Sequence, residues 1–183
     1  RTKAEALIHA ILARETPPTS ANGAIPPTGR GKKVLFVDNR DSFVHTLGDY
    51  VRQTGAEIVT VRAGFPERIF DEIDPDLVFI SPGPGTPRDF GLPELVQRCV
   101  ERRLPLFGVC RGLQGMVEAF GGELEVLNEP MHGKDSRITC VPEGLFAGFP
   151  EEFVAGRYHS LFARPDALPD CLRVLARTED GVI

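Results

Sequence analysis

The sequence predicts an α/β fold, a doubly wound and mainly parallel sheet with helices on both faces. Two observations carry that expectation. Short uninterrupted apolar runs, Val34-Leu-Phe-Val37, Asp76-Leu-Val-Phe-Ile80 and Pro105-Leu-Phe-Gly-Val109, have the composition of strands buried on both faces. Between them lie stretches of helical periodicity, and strands alternating with helices this regularly imply right-handed crossovers in a parallel sheet. At 183 residues, and about 150 residues per domain, the chain is one domain with a short appendage.

In order along the chain, residues 1–15 place Leu7, Ile8, Ile11 and Leu12 at helical spacing and read as an amphipathic helix. Residues 16–32 are dominated by Pro, Gly, Thr and Ser. They bury too little apolar surface to offset ordering and read as a linker. The domain proper spans 33–183. After the first strand, Ser42 is expected to cap a helix whose Phe43, Leu47, Tyr50 and Val51 form one face. Glu57 to Arg62 alternates as a strand. Gly91 to Arg103 reads as a helix opened by Pro93, and Gly112 to Phe120 as another, closed by Gly121-Gly122. Four further strands are expected at Leu124–Leu127, Arg137–Val141, Glu152–Ala155 and Leu172–Ala176. The chain starts with Arg1 and stops at Ile183 inside what reads as a strand pair, so it is expected to be cut at both ends.

A formal net charge of −5 argues against a surface built to neutralise phosphates or an anionic membrane, and hence against nucleic acid as main partner. Neither an apolar run of bilayer-spanning length nor a signal-peptide core stands in the sequence, which is the expectation for a cytoplasmic protein. Cys99, Cys110, Cys140 and Cys171 are irregularly spaced with no Cys-x-x-Cys, which signals neither zinc nor a disulfide framework. Cys99, Cys140 and Cys171 sit in apolar contexts and are expected to be small buried hydrophobes.

Cys110 is different. Ligands of open α/β sheets bind beyond the carboxyl ends of the strands. There this sequence places Asp38-Asn-Arg-Asp-Ser-Phe43, Ser81-Pro-Gly-Pro-Gly-Thr-Pro87 and Cys110-Arg-Gly-Leu-Gln114. Gly108-Val-Cys-Arg-Gly112 puts a cysteine at a tight strand-to-helix turn, the thiol counterpart of the nucleophile elbow. A helix N-terminus is expected to lower the thiol pKa, and the Arg111 amide to donate to an oxyanion. The alternative is a buried cysteine that merely ends a strand. Ser81-Pro-Gly-Pro-Gly85 is a stiff turn by itself, but two prolines would hold the amides of Gly83 and Gly85 in fixed directions at the same edge. A phosphate cradle fits less well, because no Lys-Ser/Thr pair follows.

Taken in order with Met131-His-Gly-Lys134 and Arg157-Tyr-His-Ser160, these motifs resemble the class I glutamine amidotransferases, most closely the amidotransferase component of anthranilate synthase and its aminodeoxychorismate synthase relatives. The resemblance runs from about Lys33 to Ile183. It implies glutamine as substrate, Cys110 as nucleophile, and the amides of Gly85 and Arg111 as oxyanion donors. Gly83, Pro84, Gly85, Gln114, Ser160 and Leu161 would hold the glutamine. Ammonia would pass to a chorismate-using partner domain, and anthranilate would be the product. No cofactor is implied in this domain, with Mg2+ expected in the chorismate-using one. Residues 1–15 resemble the closing helix of that partner, which suggests a fused synthase in which a tether raises effective concentration. By the same resemblance the full synthase is a homo-oligomer.

Three departures stand out. The His-Pro-Glu motif that carries the family's base does not occur in these 183 residues, and family spacing would put it just beyond Ile183. None of His9, His45, His132 and His159 is assigned as base, so the fragment alone is expected to be inactive, with a non-catalytic docking module as the competing reading. Arg111 stands where these synthases usually carry Leu, adding a cation expected to alter the thiol or the docking face. Leu113 replaces a common His. A flavodoxin-like binding domain is the remaining alternative.

Overall fold

The structure is a computed structural model that describes residues 28–129 and 131–183. The helix expected over 1–15, and the linker up to residue 27, lie outside the described residues. The central sheet is parallel, with strands β1 (Lys33–Asp38), β2 (Glu57–Arg62), β3 (Leu77–Ile80) and β4 (Leu106–Gly108) in the order β2-β1-β3-β4. Helices α1 (Val44–Gln53), α2 (Arg68–Ile73), α3 (Leu92–Glu101) and α4 (Arg111–Ala119) connect and follow them.

The period of two along a strand decides which face each core residue serves. On one face Val34, Phe36, Leu77 and Phe79 pack with Val44 and Val51 of α1. On the other, Leu35, Val37, Val78 and Ile80 meet Phe70 of α2 and Leu92, Leu95, Val96 and Cys99 of α3. The central strands are therefore apolar throughout, and Phe36 stacks on Phe79 with ring centroids 4.7 Å apart. Full burial of each such side chain contributes about 1.5–3 kcal/mol.

The helix boundaries follow local chemistry. α4 ends in a Schellman motif: Gly121 takes φ 88°, its amide donates to the Glu118 carbonyl, and the Gly122 amide donates to Val117 at 2.8 Å. Before α3, Thr86 and Asp89 form a reciprocal capping box on a short 3-10 turn, Pro87–Phe90. Ser42 does not cap α1. Instead the Asp41 carboxylate accepts the Phe43 amide at 2.7 Å, and no side chain bonds the first turn of the helix. Between β2 and β3 the sequence pattern predicts no element, and the structure has α2, only six residues long.

Beyond α4 the chain forms two small antiparallel sheets. β5 (Leu124–Val126) pairs with β8 (Leu161–Ala163), while β6 (Lys134–Cys140) lies between β7 (Glu152–Arg157) and β9 (Ala176–Thr178). The strand expected at Leu172–Ala176 begins only at Ala176, and β8 was not anticipated. Buried apolar side chains thin out here: among the described residues after 120, only Cys140, Ala163 and Val182 qualify. Cys171 is exposed, against expectation, because it lies in the turn before β9 rather than on a strand. No helix among the described residues is long and apolar enough to cross a membrane.

Candidate active site

The order β2-β1-β3-β4 reverses direction between β1 and β3, and open α/β sheets bind ligands at such a switch point. Two buried polar residues join the strand ends there. Asn39 follows β1 and Ser81 follows β3; both have no solvent exposure. The Asn39 amide donates to Ser81 Oγ at 3.0 Å, and Asn39 Nδ2 donates to the Ser81 carbonyl at 2.7 Å. Gly83 then crosses directly over Asn39. A Cβ at Gly83 would stand 2.6 Å from the Asn39 carbonyl oxygen, so only glycine passes.

Cys110 sits between β4 and α4 with φ 52° and ψ −99°. That left-handed backbone in a non-glycine residue costs about 1–3 kcal/mol and persists only where the surroundings impose it. Here the surroundings are two close approaches. Gly108 lies against the backbone of Gly112, and a Cβ on Gly112 would stand 2.7 Å from the Ile80 carbonyl oxygen. The bend projects the thiol at the first turn of α4, where the Arg111 amide and charge both favour the thiolate.

The thiol pKa moves opposite to the helix-terminus expectation. Burial pushes Cys110 above the ordinary thiol value, against the pull of the Arg111 charge and amide, while the Asp41 carboxylate adds to the rise. Desolvation outweighs the helix end because the neutral form is the one a dry site favours. Cys99, wholly buried in the core, is pushed to about 12 by the same cause.

Arg111 does bear on the thiol as expected, its charge pulling the Cys110 pKa down, but it is not placed at a docking face; the residue is 4% exposed. The guanidinium packs under the Pro-Gly loop, 5.8 Å from the Phe90 ring centre, with Nη1 3.8 Å from where a Gly85 Cβ would be. Its Nε and Nη1 have no hydrogen-bond partner, and burial lowers its pKa. Gly85 itself is exposed with φ 77°, a conformation available to glycine. Beneath it the Asp89 carboxylate is held below the usual carboxylate range, first by the Thr86 amide and then by the Thr86 hydroxyl.

Gln114, one turn along α4, is 4% exposed. Its Nε2 donates to the Leu161 carbonyl at 2.9 Å and lies 4.0 Å from Cys110 Sγ, while its Oε1 has no protein partner. Cys110, Gln114 and Leu161 are thus brought together from α4 and β8. Ser160 is exposed, and its carbonyl accepts the Leu127 amide at 2.7 Å. Pro84 and Gly85 lie on the exposed part of the loop, and Gly83 against Asn39. A separate concavity of about 660 Å³ lies beside the β1 end, lined by Asp38, Asp41, His45 and Arg62 among others, and does not include Cys110.

The described histidines take other partners than the thiol. His159 bonds Arg157 and Leu161, and His132 meets the Tyr158 ring edge-on at 5.2 Å. His45 lines the separate concavity, and His9 lies outside the described residues. None of the three described histidines hydrogen-bonds Cys110. Asn39, Arg157 and His159 stand inside motifs singled out in the sequence, but the sequence assigns them no individual role. A polar Asn directly after an apolar strand is the signal for the first; the Arg157-Tyr-His-Ser160 motif marks the other two without showing what each contacts.

The family model described as "Glutamine amidotransferase class-I" matches residues 35–183. An anthranilate synthase of Azospirillum brasilense is 49% identical over 183 residues, covering 100% of this chain and 25% of that protein. The chain therefore spans a quarter of that relative's length. The aminodeoxychorismate synthase component 2 of Escherichia coli is 41% identical over 147 residues, covering 80% of this chain and 79% of that one. A crystal structure of a glutamine amidotransferase from Thermotoga maritima matches with TM-score 0.66 at 15% identity, covering 82% of this chain and 69% of that one, a likeness of fold. With the parallel sheet, the strained cysteine at the β4–α4 turn and a family match across most of its length, this chain belongs to the class I glutamine amidotransferases.

Proposed function

We propose that this chain is the glutaminase module of an anthranilate synthase, supplying ammonia to a chorismate-using domain. The observation that carries the reading is the Cys110 elbow, with Gln114 buried beside the sulfur and an unpartnered Oε1 to offer. The Cys110 thiolate attacks the carboxamide carbon of glutamine, and the negative charge moves to the former carbonyl oxygen. Backbone amides of Gly85 and Arg111 receive that oxyanion. Collapse expels ammonia, protonated as it leaves, and leaves a glutamyl thioester. Water adds to the thioester and expels the thiolate, releasing glutamate. Gly83, Pro84, Gln114, Ser160 and Leu161 complete the glutamine site. Mg2+ belongs in this reading to the chorismate-using domain, and the glutaminase chemistry itself draws on no cofactor.

Covalent catalysis of this kind needs a base beside the thiol, all the more with the thiol pKa raised by burial. No described histidine hydrogen-bonds Cys110, and in this reading the base is supplied from outside the described residues, so that the fragment by itself is expected to be inactive toward glutamine. Identity to the Azospirillum anthranilate synthase over all 183 residues, including 1–32, supports the fused arrangement and the product.

In the intact protein, Cys110→Ser is expected to abolish glutamine-dependent anthranilate formation and to leave ammonia-dependent formation in place. Loss of both would overturn the division of labour. Aminodeoxychorismate as product is the second reading, favoured by the identity to the Escherichia coli component. The same assay separates the two by the product formed from chorismate and glutamine.

A further inference from the structure

A line of hydrogen bonds leads from the second half of the chain to the nucleophile. Asp180 pairs with Arg157 Nη1 through both oxygens, at 3.0 and 3.2 Å, and Arg157 is itself buried, 5% exposed. Its Nη1 also reaches Ser136 Oγ at 3.4 Å, and its Nε donates to His159 Nε2 at 3.4 Å. A guanidinium only donates, so Nε2 is the accepting nitrogen and the ring proton sits on Nδ1. Nδ1 in turn donates to the Leu161 carbonyl at 2.9 Å. That carbonyl also accepts Gln114 Nε2 at 2.9 Å, the same nitrogen that lies 4.0 Å from Cys110 Sγ.

We propose that His159 is a positioning residue: its Nδ1 proton fixes the Leu161 carbonyl that aims Gln114 at Cys110, and Arg157 holds the ring that carries this proton. Two donors converging on one oxygen use both its lone pairs and leave the Gln114 side chain one orientation. Oε1 of Gln114 then faces away from the carbonyl, free for the substrate. Arg157 and Asp180 act one step further back, by choosing the tautomer. The proposal rests on the glutaminase reading for what Gln114 binds, and on the geometry alone for how Gln114 is held.

Three substitutions separate the two ends of the ring. His159→Asn keeps a donor at the Nδ1 position and loses Arg157. His159→Gln reaches toward Arg157 but carries its amide one bond too far to serve Leu161. His159→Leu removes both. In the intact protein the KM for glutamine is expected to rise about tenfold in H159L, to stay near wild type in H159N and to fall between in H159Q, a tenfold change being the effect of one lost buried hydrogen bond. The ammonia-dependent rate, which needs no Gln114, is unchanged in all three.

Alkylation of Cys110 by iodoacetamide at neutral pH reads the same chain without glutamine. It is expected to slow roughly threefold in H159L, as the amide donor leaves the sulfur, and to match wild type in H159N. H159N as impaired as H159L, or H159L unchanged by both measures, would overturn the proposal. Should H159L fail to fold, H159Q against H159N decides the same point. A wild-type protein that hydrolyses no glutamine would refute the glutaminase reading, and the alkylation series would still decide the role of His159.

Discussion

A methyl group on Gly112 would stand 2.7 Å from the Ile80 carbonyl oxygen and 2.9 Å from the Ile80 Cβ, both on a central strand that has no room to move. Gly112→Ala is therefore expected to destabilise the protein by about 2–3 kcal/mol, as overpacking against fixed backbone does, with urea denaturation as the measurement. Because relief of that clash would relax the strained bend, Cys110 would lose its place along with the stability. Gly85→Ala belongs to a different class: its side chain would meet Asp89 and Arg111, flexible groups, so a positive φ is the main obstacle. The cysteine at its tight turn and the glycines flanking it were legible in the sequence, because a glycine-flanked cysteine after an apolar run has few structural meanings, whereas Gln114 is named only by the family resemblance. The thiol pKa was not legible. The charge and dipole at a helix end can be read from residue order, whereas desolvation depends on what the rest of the chain lays over the site.

Beyond their backbone pairing, the ends of β1 and β3 are tied by the Asn39 side chain. Asn39→Ala would remove the donor to the Ser81 carbonyl and leave a buried acceptor unpaired, at a cost of about 1–3 kcal/mol. Thermal unfolding of the variant checks the loss. A Ser81→Ala variant should cost less, since it removes the acceptor for the Asn39 amide and keeps the stronger Nδ2 contact. The parallel strands were legible because they are buried on both faces and need uninterrupted apolar residues. α2 was not, since six residues hold fewer than two turns and no periodicity can be established in that span. β8 and β9, three residues each, are defined by their partners, Leu124 to Val126 and Ile138 to Cys140, rather than by their own composition. Ser42 was a reasonable cap by type, but Asp41, one residue earlier, takes the amide first.

The whole molecule divides unevenly. The parallel sheet carries apolar layers on both faces, whereas after residue 120 the described residues hold together through strand pairing, aromatic contacts such as Phe146 with Phe149, and ion pairs such as Arg164 with Glu123. Exposed ion pairs contribute little, about 0–1 kcal/mol each. The nucleophile stands on the well-packed half and Leu161 on the other. Amide hydrogen exchange should consequently be faster throughout β5 to β9 than in β1 and β3, the thinner half opening without global unfolding. Equal protection in both halves would contradict this. On the proposed function, one wall of the site would open more readily than the other, and glutamine held between Gln114 and Leu161 would slow exchange in β8, which gives no reacting group yet touches the nucleophile's neighbour.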